Sequence, residues 1–167
     1  MIFNPEQGEK PDLAQQIAVA QRTAAMIVVA IAFSIAIYLV IGLFLLGAAN
    51  RQATSDYQMH FLIAAAILAF ASITFRRSQF GKMKLEYIAG SRGVKGLIRH
   101  FVQTTIISVA IAEIIGILAL VITFVGGSQR DVLLIGLVGL AIVFSCYPRS
   151  TAWQRTIRYF DSITYQD

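Results

Sequence analysis

Glu113 is the one acidic residue inside any long apolar run of this 167-residue chain, and it stands near the middle of its run. A charged carboxylate at the centre of a bilayer costs at least about 2.5–3.5 kcal/mol, so such a group is held neutral unless a cation or several donors meet it. A carboxyl that is neutral in lipid and charged beside water or an ion is suited to reversible proton or cation binding. The same residue type also serves a second purpose. A protonated Glu113 can hydrogen-bond across a helix interface, with Ser34, Ser72 and Ser108 as candidate partners, and contacts of this kind hold membrane helices together by about 0.6 kcal/mol on average. Both uses stay open at this point.

Other reactive residue types do not group. His60 and His100 are separated by an apolar run and expected near opposite membrane faces, too far apart for one metal or haem within one chain, and no Ser, His and Asp fall at triad spacing. The single cysteine, Cys146, excludes an intramolecular disulfide and a cysteine-rich metal site. Gly81, Gly90, Gly93 and Gly96 cluster in a basic stretch. No Walker-type lysine accompanies them, so they are read as loop flexibility. No cofactor, metal or enzymatic activity is expected.

The elements that must position Glu113 follow from the apolar runs. Hydrophobic residues make up 57% of the chain and charged ones 14%, with a mean hydropathy of +0.69, where a soluble domain is about a quarter charged. A helix of about 20 apolar residues crosses a hydrocarbon core of roughly 30 Å. Four spans are expected, at 23–49, 57–75, 104–125 and 132–147, giving an all-α integral membrane protein. The fourth is short and calls for anchors at its end, for which Arg149, Trp153, Arg155 and Tyr159 are suited. The chain divides accordingly into an N-terminal segment 1–22, a first hairpin 23–75, a basic loop 76–103, a second hairpin 104–147 and a tail 148–167. Residues 1–10 lack the basic-then-apolar order of a cleavable signal, so the first span is expected to remain as an anchor.

Of the fourteen Lys and Arg, only Arg51 and Arg130 fall on one side of this four-span layout. The rest, among them Arg76, Arg77, Lys82, Lys84, Arg92, Lys95, Arg99, Arg149, Arg155 and Arg158, share the other. Positive charge marks the cytoplasmic side, so both termini and the central loop are placed there, with a bacterial inner membrane as the expected location. The net charge of +5 thus reflects topology, and nucleic acid is not an expected partner.

Three segments on the basic side have amphipathic spacing. Asp12 and Gln15 make a capping-box pattern ahead of Leu13, Ile17 and Ala20; Val94, Leu97, Ile98 and Phe101 alternate with Arg92, Lys95 and Arg99; Trp153, Ile157 and Phe160 accompany Arg155 and Arg158. Such stretches are expected to lie on the membrane against anionic headgroups, or to bind a partner subunit. Ala64, Ala65, Ala66, Gly136 and Gly139 are small enough for close helix approach, supporting a homo-oligomer or assembly with other membrane subunits.

The two halves are alike. A shift of 80 residues lays Val29-Ala30-Ile31-Ala32 on Val109-Ala110-Ile111-Ala112, and Phe44 and Gly47 on Phe124 and Gly127. A duplicated, parallel pair of helical hairpins is the expected origin. Phe33 then occupies the position of Glu113.

The stretch Ala110-Ile111-Ala112-Glu113-Ile114-Ile115-Gly116, continuing to Leu120-Val121-Ile122, resembles the carboxylate-bearing helix of the proteolipid (c) subunit of rotary ATPases. The resemblance covers about one span. It implies that Glu113 is an ion-carrying carboxylate and that one copy of a duplicated proteolipid keeps the acid. The expected function is therefore a proteolipid-like subunit in proton or ion translocation, with a non-catalytic accessory or assembly subunit as the alternative.

Overall fold

The computed structural model describes residues 13–49, 55–148, 151, 153–157 and 159. The expected N-cap at Asp12 and the residues Arg149, Arg158 and Phe160 lie outside the described residues. Among the described residues four long helices follow in order: α1 (Leu13–Ala49), α2 (Ser55–Gln79), α3 (Lys82–Val125) and α4 (Gln129–Ser145). Three of them are long and apolar enough to cross a membrane, over Ala14–Gly47, Met59–Gln79 and Lys82–Val125. The chain thus has the make-up of an integral membrane protein. At 17 residues, α4 is about 25 Å long and falls short of that length.

α3 and α4 form the central pair. α1 packs against both, α2 packs against both from elsewhere, and α1 and α2 do not touch. Lipid is as apolar as leucine, so close contact and not water exclusion holds such helices together, and small residues permit it. Gly139 brings α4 onto the α3 backbone: a Cβ there would sit 3.3 Å from the Ala112 carbonyl oxygen. Gly136 admits Leu39, and Gly116 admits Ile35. The Gly136 and Gly139 face, expected to support an oligomer, is therefore filled within the chain.

The α3–α4 turn is tight because Gly126 takes a left-handed conformation (φ 93°) and sends its N–H to the Ile122 carbonyl. Ser128 then caps α4 reciprocally: its hydroxyl accepts from the Asp131 N–H while Asp131 accepts from the Ser128 N–H. The Ser128-x-x-Asp131 spacing is the sequence signal for this start. α4 returns to the level of the α2 C-terminus, where the Arg76 guanidinium donates to the Ser145 carbonyl.

The basic stretch read as a loop is helical. α2 continues to Gln79, and α3 starts at Lys82 after a turn at Phe80 and Gly81. Gly90 and Gly96 lie inside α3, while Gly93 alone breaks it, at φ 62° and ψ −169°. That backbone region is essentially closed to residues with a Cβ. α3 is thus a short basic helix and a long apolar one joined at one glycine.

The amphipathic stripes also find a different partner from the one expected. Ile17 and Ala24 of α1, Leu97, Ile98 and Phe101 of α3, and Trp153 and Ile157 of the tail bury against one another and against Leu85 and Ala89. Instead of lying on lipid, the three segments build a second core at the basic end. α1 needs no bend to do this, running as one helix of about 55 Å. Trp153, expected as an anchor, has its ring within this core: it is 6% exposed and meets the Phe101 ring edge-on at 5.0 Å, as Phe80 also does.

Candidate functional site

Glu113 lies 14 residues after Arg99 and 13 before Gly126, about 20 Å of helix from each. It is partly buried, at the edge of the α1–α3 interface. Val109, Ala112 and Ile115 on the inner face of α3 join Val28, Ile35 and Leu39 of α1 in the main core, so the two helices are held in register around it. Ser34 Oγ donates to Glu113 Oε1 across this interface at 3.4 Å. Gly116, one turn further on, lets α1 come close enough for the bond to form, because the Ile35 side chain occupies the space where a Cβ would stand.

Of the three serines expected as partners, the structure brings only Ser34 to Glu113. Ser108 is on the same helix five residues earlier, which rotates it about 140° away. It is fully buried, and its hydroxyl has no hydrogen-bond partner among the described residues. Ser72 is buried on α2, beside a cleft that faces α4. The angular positions of these serines, and not their depths, separate the one that meets Glu113 from the two that do not.

The basic residues spread over one end of the bundle. Arg77, Lys82, Lys84, Arg92, Lys95, Arg99 and Arg155 are exposed there, and Arg76 is partly buried. Lys82 pairs with Glu86 at 3.7 Å, both well exposed, and Lys84 donates to the Gln79 side chain at 2.5 Å. Surface pairs of this kind contribute little to stability. Arg92, Lys95, Arg99 and His100 line a shallow groove of about 290 Å³. His100 Nε2 also reaches the Gln79 carbonyl at 3.1 Å, which ties the end of α2 to α3. Since His60 is 19 residues before Gln79 on α2, the two histidines stand about 28 Å apart.

Chemically, the site offers one titratable carboxyl that is partly shielded from its surroundings and has a hydroxyl donor on one oxygen. A hydroxyl donor serves the protonated and the ionised carboxyl alike, since Oε1 accepts in both. When the chain is compared with protein-family models, curated proteins and solved structures, none of them matches, so the site carries the functional argument alone.

Proposed function

We propose that the protein is a four-span membrane subunit that binds and releases a proton, or a cation in its place, at Glu113. The observation that carries this reading is the position of the carboxyl: midway along the apolar run of α3, only partly buried, and bonded to Ser34 on one side. A deeply buried structural glutamate would be enclosed. Glu113 instead keeps an edge on the outside of the bundle, where a neighbouring subunit's helix can exchange a proton with it. The resemblance to the proteolipid helix points the same way.

Four spans are supported by where α4 ends. It leaves the Gly126–Gly127 turn beside the end of α3 and finishes beside Arg76 near the C-terminus of α2, so its length matches about two thirds of α2. Local thinning of the bilayer accommodates the difference. The basic end then faces the cytoplasm. Duplication of a hairpin is supported by burial: the 80-residue shift pairs Ile17 with Leu97, Val28 with Ser108, Ile35 with Ile115 and Leu39 with Ala119, all buried.

The test is Glu113→Gln, assayed for proton and cation flux in vesicles that hold the native assembly. Glutamine keeps the acceptor for Ser34 and cannot titrate, so flux should be abolished while the mass of the assembly is unchanged. Full flux in the variant sinks the reading. A second reading, a non-catalytic assembly subunit, is favoured by Met83 and Tyr87, which are 85% and 76% exposed on the basic-end helix. It requires that substitutions there release the subunit from its partners without changing turnover in the assemblies that still form.

A further inference from the structure

The geometry points to a binding site for one anionic phospholipid in the cleft between α2 and α4, independent of Glu113. α2 is loosely held, with Ala65 and Ser72 as its only buried residues among those described with side chains. Towards the basic end it stands off from α4 and leaves a space of about 590 Å³, walled by Ala69, Ile73, Val138, Ala141 and Ile142. That volume falls within the roughly 300–1,000 Å³ of small-molecule sites. The walls are almost wholly apolar, and within the bilayer they suit an acyl chain.

The mouth of the cleft has the opposite character. Arg76 and Arg77 both line it, and among the described residues no carboxylate does. Arg76 is fixed in place: its guanidinium donates to the Ser145 backbone carbonyl, lies 3.3 Å from the Ser145 hydroxyl and sits 5.9 Å over the Phe80 ring. Arg77 is exposed and has no hydrogen bond or ion pair among the described residues. Beyond Arg76 a second space of about 500 Å³ opens, sharing Arg76, Phe80 and Ser145 with the first and bounded by Tyr147 and Thr156. It is much more polar. An apolar slot, two guanidiniums and a polar vestibule thus follow in order along about 15 Å of α2, from Ala69 to Gln79.

That order matches a phospholipid: acyl chain in the slot, phosphate between the arginines, remaining headgroup in the vestibule. Guanidinium binds phosphate through paired N–H donors, and among the described residues no carboxylate at the mouth compensates that charge. A zwitterionic headgroup would bring its own cation to the same two arginines. A second copy's apolar helix would fill the slot but bring no anion to either guanidinium.

The full chain in mild detergent, exposed to phosphatidylglycerol or phosphatidylcholine and weighed intact by native mass spectrometry, tests this. One tightly retained phosphatidylglycerol per chain is expected, with phosphatidylcholine retained about tenfold less. Two variants separate the two ends of the site. Arg77→Gln removes a charge-assisted contact and should weaken phosphatidylglycerol about tenfold. Ala141→Trp fills the slot and should expel the lipid without touching the arginines. Circular dichroism verifies that each variant remains helical. Equal retention of both lipids, unchanged retention in Arg77→Gln, or unchanged retention in Ala141→Trp each overturns the proposal. So does a dimer that excludes lipid from the wild-type chain.

Discussion

Replacing Gly116 with alanine tests how the helices are held around Glu113. The new Cβ would lie 2.7 Å from Ile35 Cγ1, 3.2 Å from Cγ2 and 3.3 Å from Cβ. Carbon atoms prefer about 3.5–4.0 Å, so the closest contact is short by roughly 1 Å. Ile35 is fully buried, and β-branching leaves it essentially one rotamer in a helix. The clashing atoms are at the root of its side chain, so α1 must move away from α3. Overpacking of this sort costs about 1–3 kcal/mol. The movement also stretches the 3.4 Å Ser34–Glu113 bond beyond useful length, which adds about 0.6 kcal/mol. Reversible unfolding in mixed detergent micelles, followed by circular dichroism, should therefore place Gly116→Ala about 2–3 kcal/mol below the parent. Ile35→Ala removes both Cγ atoms, so the two changes should couple favourably by about 1–3 kcal/mol. A Gly116→Ala variant within about 0.5 kcal/mol of the parent, or strict additivity with Ile35→Ala, would refute this packing.

Two further outcomes follow from the backbone. Gly93→Ala places a Cβ at φ 62° and ψ −169°, and should cost about 1–3 kcal/mol or straighten α3, shifting the emission of Trp153 in the second core; unchanged stability and emission would mean the break is not needed. Ser128→Ala removes the hydroxyl that accepts from the Asp131 N–H and should lower stability by about 0.5–2 kcal/mol, with Ser128→Thr close to the parent.

The long helices were legible because apolar runs of this length have few other uses, and the depth of Glu113 followed directly from its place in one of them. The amphipathic stripes were harder. Leu97, Phe101 and Ile157 repeat at helical spacing whether the apolar face meets lipid or another helix, so periodicity alone assigned them to the membrane when they bury one another. The glycines between 81 and 96 look alike in sequence, yet only Gly93 has a positive φ, where α3 breaks, while Gly81 makes the α2–α3 turn with extended backbone. Choosing Ser34 over Ser72 and Ser108 required the rotation of α1 against α3, which is fixed by Ile35 entering the space at Gly116. The start of α4 went unread: the apolar run sets the fourth span from 132, although Ser128-x-x-Asp131 has capping-box spacing.

Carbodiimide labelling of the protein in bilayers, with the adduct mapped by mass spectrometry, tests the central claim most directly. A hydrophobic carbodiimide reacts with protonated carboxyls reached from lipid. The account predicts one adduct, on Glu113, lost in Glu113→Gln and slowed by the cation that the site binds. Labelling confined to Glu86 and Asp131, with Glu113 unmodified, would contradict it.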